Sequence, residues 1–260
     1  MNLRFLQILL ICILTSCARE EISIVFENPN PRKDAICRSK VKNVYYIIDS
    51  VSIDTNIYSN NYIIGDTMLF HTYDSLGNTR FTHLSPAFST KTNYDYDRQG
   101  NLTYKRIFSD YMSEYHLATF IDTAKRIKYL KEIDPYSDYK IGMTYYNKKG
   151  LPDSATGFTI EQNADFNYNE YYYYKGDTLV MTIRKITSDN RNKNLEAYRF
   201  FPDSTKYIYN KGKLFKIMKT GKNIGMEQYY ETEHFDVNGK PLKKEFSISG
   251  KYLRYKISSN

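Results

Sequence analysis

The sequence has no tryptophan and only three cysteines, Cys12, Cys17 and Cys37. The first two lie in and directly after the N-terminal apolar stretch, so Cys37 is the single thiol of the remaining chain, and one thiol makes no internal disulfide. The fold must therefore rest on its core rather than on covalent staples. Long apolar runs are also missing: the longest, Phe5 to Leu14, is too short for a permanent spanning helix. The four histidines, His71, His83, His116 and His234, show no metal-ligand spacing, and none of the common hydrolase, zinc-protease, phosphate-loop or dinucleotide fingerprints occurs. The sequence thus designates no catalytic residue, no metal ligand and no cofactor, and it reads as that of a non-enzymatic protein.

Charge of one sign is not concentrated anywhere. Against 29 acidic residues stand 37 basic ones, for a net charge of +8, and the two signs are interleaved. The densest basic run, Lys211, Lys213, Lys216 and Lys219, surrounds a turn, where lysine also blunts strand edges. A nucleic-acid partner would need a basic stripe with reading elements, so none is assigned.

What is abundant is tyrosine, 27 residues against 14 phenylalanines, a strand-favouring ring with a hydroxyl that reaches water. A turn signature also recurs: Tyr73-Asp74-Ser75-Leu76-Gly77, Tyr96-Asp97-Arg98-Gln99-Gly100, Tyr146-Asn147-Lys148-Lys149-Gly150 and Phe235-Asp236-Val237-Asn238-Gly239, with a shorter form at Tyr209-Asn210-Lys211-Gly212. Asp or Asn caps such a turn through its side chain, and glycine takes the left-handed position of a type I turn with a G1 bulge. Gly176-Asp177 marks a further turn. Gly77, Gly100, Gly150, Gly176, Gly212 and Gly239 are separated by 23, 50, 26, 36 and 27 residues. The 50 is a double interval whose middle, residues 120–127, is a degenerate copy lacking glycine, with strands expected near 115–121 and 126–133. A helical pattern over Asp122 to Ile133 competes with that hairpin. The 36 is one unit stretched by a polar loop at 188–194. A unit of about 25 residues fits two strands, a tight turn and a looser return. The expected fold is all-β: an antiparallel meander of repeated β-hairpins forming a large twisted sheet. Val44 to Val51 is apolar on both alternating faces and reads as a strand covered on both sides.

The N-terminus reads as an export signal, with Arg4 ahead of the apolar run. The run ends in Leu14-Thr15-Ser16-Cys17, which resembles the lipobox of bacterial lipoproteins. That resemblance implies cleavage before Cys17 and its acylation, hence a protein anchored to the outer membrane by lipid rather than spanning it. Arg19-Glu20-Glu21 resembles the surface-export tag of some Gram-negative lipoproteins, and leaves the choice of membrane face open. The expected organisation is a signal peptide at 1–16, a lipidated cysteine and tether at 17–43, and a hairpin-repeat domain at 44–260. Asn28-Pro29-Asn30-Pro31 is expected to break regular structure within the tether.

The Tyr-Asp-x-x-Gly-Asn-Leu pattern, best seen at Tyr96 to Leu102, resembles the YD repeats of Rhs-type proteins over roughly residues 60 to 250. Asn210-Lys211-Gly212-Lys213-Leu214 and Val237-Asn238-Gly239-Lys240-Pro241-Leu242 resemble MORN-variant repeats equally well. Both resemblances imply a hairpin sheet and little about activity. The candidate ligand-binding residues are Tyr171, Tyr172, Tyr173 and Tyr174. Alternation sends Tyr171 and Tyr173 to one face and Tyr172 and Tyr174 to the other, where their rings suit a glycan or protein partner. Cross-strand aromatic pairing is the competing role. Asp74, Asp97 and Asp236 already have a duty in turns, and Cys37 near Arg38 and Lys40 reads as an incidental tether thiol. The alternatives to a non-catalytic binding or structural lipoprotein are a glycan-active hydrolase with a hidden carboxylate pair, or a Rhs- or MORN-associated accessory of the immunity type.

Overall fold

The computed structural model describes residues 29–52, 64–84, 90–108, 113–132, 140–161, 164–189, 203–222, 228–248 and 250–260. Among the described residues one helix, α1 (Pro31–Ser39), precedes sixteen strands: β1 (Asn43–Val51), β2 (Thr67–Tyr73), β3 (Thr79–Leu84), β4 (Thr90–Tyr96), β5 (Leu102–Phe108), β6 (Ser113–Asp122), β7 (Ile127–Glu132) and β8 (Lys140–Tyr146). The second half is β9 (Pro152–Glu161), β10 (Ala164–Lys175), β11 (Thr178–Asp189), β12 (Asp203–Asn210), β13 (Lys213–Lys222), β14 (Gln228–Phe235), β15 (Pro241–Ile248) and β16 (Lys251–Ser259). Each strand pairs antiparallel with its chain neighbours, and β16 returns to pair with β1.

The expected all-β meander of hairpins is present, but the open twisted sheet is corrected to a closed barrel. Closure through Val44–Ser259 and Tyr46–Ile257 removes both sheet edges, which would otherwise expose a ladder of unpaired backbone groups. It also gives every strand an inside and an outside. In β1 the buried residues are Val44, Tyr46 and Ile48, all pointing inward, while Tyr45 faces out and stacks on Phe70 at 4.6 Å. The two apolar faces of Val44 to Val51 therefore differ: one is core, and the other is covered only by neighbouring strands.

The turns that join β2 to β3, β4 to β5 and so on to β14–β15 lie at one end of the barrel, the tight-turn end, and the other returns, including the short β15–β16 return with Gly250 at φ +81°, lie at the opposite end. Asp74, Asp97, Asn147 and Asp236 each accept, through Oδ1, the N–H groups two and four residues on. The glycine that follows has φ between +75° and +92° at Gly77, Gly100, Gly150 and Gly239, the expected G1-bulge geometry. Gly212 forms a shorter two-residue turn with Lys211, both at positive φ, and Gly176 opens another. The degenerate copy is a hairpin too, between β6 and β7, with Arg126 at φ +54° in the glycine's place.

The tight-turn end is plugged. Asn30-Pro31, expected to break structure inside the tether, instead starts α1: Asn30 Oδ1 accepts the Lys33 N–H at 3.0 Å, and proline occupies the first turn. Ala35 and Ile36 are fully buried in two clusters, Ala35 with Leu214, Ile217 and Phe235, Ile36 with Val44, Tyr46, Tyr73 and Ile257. Two turn glycines carry a second constraint, because a Cβ on Gly77 would strike the Lys33 carbonyl and one on Gly239 the Ala35 carbonyl. Cys37 sits on the exposed side of α1, its Sγ 3.4 Å from the Ser75 carbonyl.

Candidate functional site

Among the described residues, two polar groups of side chains stand inside the barrel. The first fastens the plug. The Arg32 guanidinium on α1 donates to both carboxylate oxygens of Glu233 on β14, at 2.9 and 3.1 Å, and to the hydroxyls of Tyr46 and Tyr73 at 2.7 and 2.8 Å. Tyr46 in turn donates to Glu233 at 2.8 Å. Burial alone would push the Glu233 carboxyl up, but Arg32 beside it, with Lys244 and the Tyr46 bond, holds it at about 2. Burial likewise opposes the charge of Arg32, and Glu233 more than offsets it. His71, nearby and bonded to Thr82, is held down at about 3 by burial and by Arg32. This group is charged, hydrogen-bonded within itself and structural.

The second group lines the wall from β9 to β14. Glu170, Arg184 and Asp203 stand in a row on β10, β11 and β12. Arg184 lies 3.4 Å from Glu170 and its guanidinium covers the Tyr168 ring at 4.5 Å. Tyr172 donates to Glu170 at 2.9 Å. Tyr229 bonds Asp203, whose carboxyl burial pushes up, and Tyr207 bonds Thr182. Glycines make room for these rings: Gly157 lies opposite Tyr168 and Gly221 opposite Tyr229, and a Cβ on either would run into the side chains there. A cavity of about 290 Å³ lies against this wall, lined by Asn30, Thr144, Glu170, Tyr172, Thr182 and Tyr207 among others. A larger one of about 920 Å³ opens at the tight-turn end beside α1, where Lys33, Arg38 and Lys128 meet Asp34, Asp177 and Tyr209.

The four candidate tyrosines divide as alternation requires. Tyr171 and Tyr173 point outward, 37% and 42% exposed, while Tyr172 and Tyr174 point inward. Lys185 stands 5.9 Å from the Tyr171 ring. So the run does not form one surface, and only Tyr172 joins the polar wall. The six turn glycines are all at positive φ and sit in turns. Cys17 lies outside the described residues. Missed in the sequence were Arg32, Glu233, Glu170, Arg184, Asp203, Tyr207 and Tyr229. Parity could have found some of them: Tyr229, Glu231, Glu233 and Phe235 alternate in β14, which puts two carboxylates on the strand's inward, aromatic side. Among the described residues no group of three or more His, Cys, Asp or Glu is arranged to hold a metal ion, and no helix is long and apolar enough to cross a membrane.

Fold and site together define a sixteen-strand antiparallel barrel with a helical plug and a polar, tyrosine-lined interior. Two solved structures share limited similarity with it. One is a porin-like protein from Bacteroides vulgatus, at TM-score 0.34 and 10% identity, covering 66% of this chain and 95% of that one. The other is the TcdB2-TccC3-TEV structure, at TM-score 0.32 and 14% identity, covering 81% of this chain and 12% of that one. Neither assigns a role to any residue here. No protein-family model matches the sequence, and no curated protein matches it.

Proposed function

We propose that the chain is a lipid-anchored, non-enzymatic binding protein of the outer membrane whose recognition surface is the inner wall of β9 to β14. The observation that carries this reading is that the wall's polar groups are already set against one another. Glu170 is held by Tyr172 and Arg184, Glu231 by Lys219 and Lys244 at 3.5 and 3.2 Å. Fixed donors and acceptors between aromatic rings suit a polyhydroxylated ligand such as a glycan, with the rings covering its apolar faces. Lipidation at Cys17 supplies the membrane address, and the outer face of the barrel is suited to water. Lys243 and Arg254 flank Glu245 outside, at 3.3 and 3.6 Å, with Lys256 exposed beside them. Each Lys or Arg at the bilayer midplane would cost about 2–4 kcal/mol.

One observation favours the rival hydrolase reading: Glu170 and Asp203 flank Arg184, and Asp203 is the carboxyl that burial pushes up, as a general acid requires. Screening the mature protein against glycans and peptides, for retention and for product, separates the two. Binding predicts retention that Tyr207→Ala and Arg184→Met weaken at least tenfold, without product. Multiple turnovers abolished by Asp203→Asn, with the circular dichroism unchanged, would replace the binding reading with the hydrolytic one.

A further inference from the structure

Among the described residues the tight-turn end exposes large apolar side chains: Leu76 and Val237 on turn tips, and Phe120, Ile121, Tyr173, Ile208, Phe215 and Leu242 within two residues of the strand ends. Val237 is the most exposed of all, at 70%. The same end is basic. Arg98, Lys125, Lys148, Lys175 and Lys211 bring a cation to, or next to, five of these turns, with Lys125 pairing with Asp122 and Lys149 with Asp177, while the Lys240 ammonium turns onto the Ser259 carbonyl. The carboxylates of Asp74, Asp97 and Asp236 fold back onto their own turn N–H groups rather than facing outward.

The chain arrives at this end too. Pro29 lines the mouth cavity beside α1, and Cys17 precedes it by twelve residues, a stretch that reaches at most about 40 Å in any conformation. An anchor at Cys17 therefore keeps the tight-turn end, with its apolar tips and its cations, within about 40 Å of the bilayer. Apolar side chains set among lysines and arginines are the composition of an interfacial membrane contact: the tips enter the headgroup boundary and the cations meet anionic lipid.

We propose that the tight-turn rim is a docking surface for anionic phospholipid, so that the barrel stands upright on the membrane with its opposite end outward. This rests on the lipid-anchor reading, and the test separates the two. The mature protein is reconstituted in phosphatidylcholine vesicles with or without phosphatidylglycerol. In a Cys37→Ser background, an environment-sensitive dye is placed by Val237→Cys at the rim or by Ile64→Cys at the far end, and quenching by headgroup-proximal brominated lipid is read. The rim dye should be quenched several-fold more than the far dye. The difference should shrink without phosphatidylglycerol, in high salt, or with Lys148→Glu and Lys149→Glu together. Equal quenching at both positions, or more at the far end, overturns the proposal while leaving the anchor intact. Dye entering Cys17 instead shows that the anchor reading has failed. The rim proposal then stands if the unanchored protein still floats with phosphatidylglycerol vesicles, and falls if it does not.

Discussion

Replacing Arg32 with methionine removes the guanidinium that pins α1 inside the barrel and leaves Glu233 buried without its counterion. Four hydrogen bonds are lost, two to Glu233 and one each to Tyr46 and Tyr73. Breaking a buried pair from one side costs about 3–5 kcal/mol, because the remaining charge must be desolvated alone. The acid titration gives an independent magnitude. Glu233 has a folded-state pKa depressed from 4.5 to about 2. A depressed carboxyl contributes stability that is fully present above its unfolded pKa and is lost as pH falls through the folded one. At about 1.4 kcal/mol for each unit, the wild-type barrel should lose about 3 kcal/mol between pH 4.5 and pH 2 from this group. Other carboxyls add their own slopes, so the diagnostic is the difference between wild type and Glu233→Gln, which should lack this component. Urea midpoints followed by circular dichroism across pH 2 to 7, with hydrogen exchange over residues 31–39, read both effects. An Arg32→Met protein within about 0.5 kcal/mol of wild type, with α1 still fully protected, would refute the idea that this pair holds the plug.

The turns differ in a way that unfolding midpoints should resolve. Gly239→Val should cost more than Gly100→Val, itself about 1 kcal/mol or more, since a Cβ at 239 meets the Ala35 carbonyl while one at 100 meets the movable Lys33 ammonium at 3.2 Å and the Asn78 side chain at an ordinary 3.8 Å; equal losses would contradict the close approach to α1. Arg126→Gly should raise stability by up to about 1 kcal/mol, because the left-handed backbone at φ +54° is costly for any residue with a Cβ; a loss in the same assay would contradict that turn geometry. Cys17→Ala should leave an unacylated, uncleaved precursor, and labelled fatty acid still entering that variant would sink the lipid-anchor reading.

How much of this was legible depends on the range of the interactions. The hairpins were readable because each turn is encoded within about five residues: an Asp or Asn that caps, and a glycine at positive φ, as at Asp97 and Gly100. Even the glycine-less copy at 120–127 kept its place through the spacing. The split of Tyr171 and Tyr173 from Tyr172 and Tyr174 followed from strand alternation alone. Closure was not legible. It pairs Val44 with Ser259, and no local pattern says whether the first and last strands of a meander meet or stay edges. The plug was hidden for a different reason: Asn30-Pro31 opens a helix as readily as it ends other structure, and α1 carries too few apolar residues to announce itself. Its fastening joins Arg32 to a glutamate 201 residues away. The row of Glu170, Arg184 and Asp203 likewise exists only once β10, β11 and β12 lie side by side.

Closure is the claim on which the interior, the plug and the binding wall all depend, and it is tested at the seam. Tyr45 and Ser258 face each other across β1 and β16, at a Cα separation of about 5.5 Å or less, within reach of a disulfide. In a Cys37→Ser background, Tyr45→Cys with Ser258→Cys should cross-link under mild oxidation as completely as the control pair Lys243→Cys with Lys256→Cys, which spans the β15–β16 hairpin. A control that cross-links while the seam pair stays reduced would mean that the sheet is open.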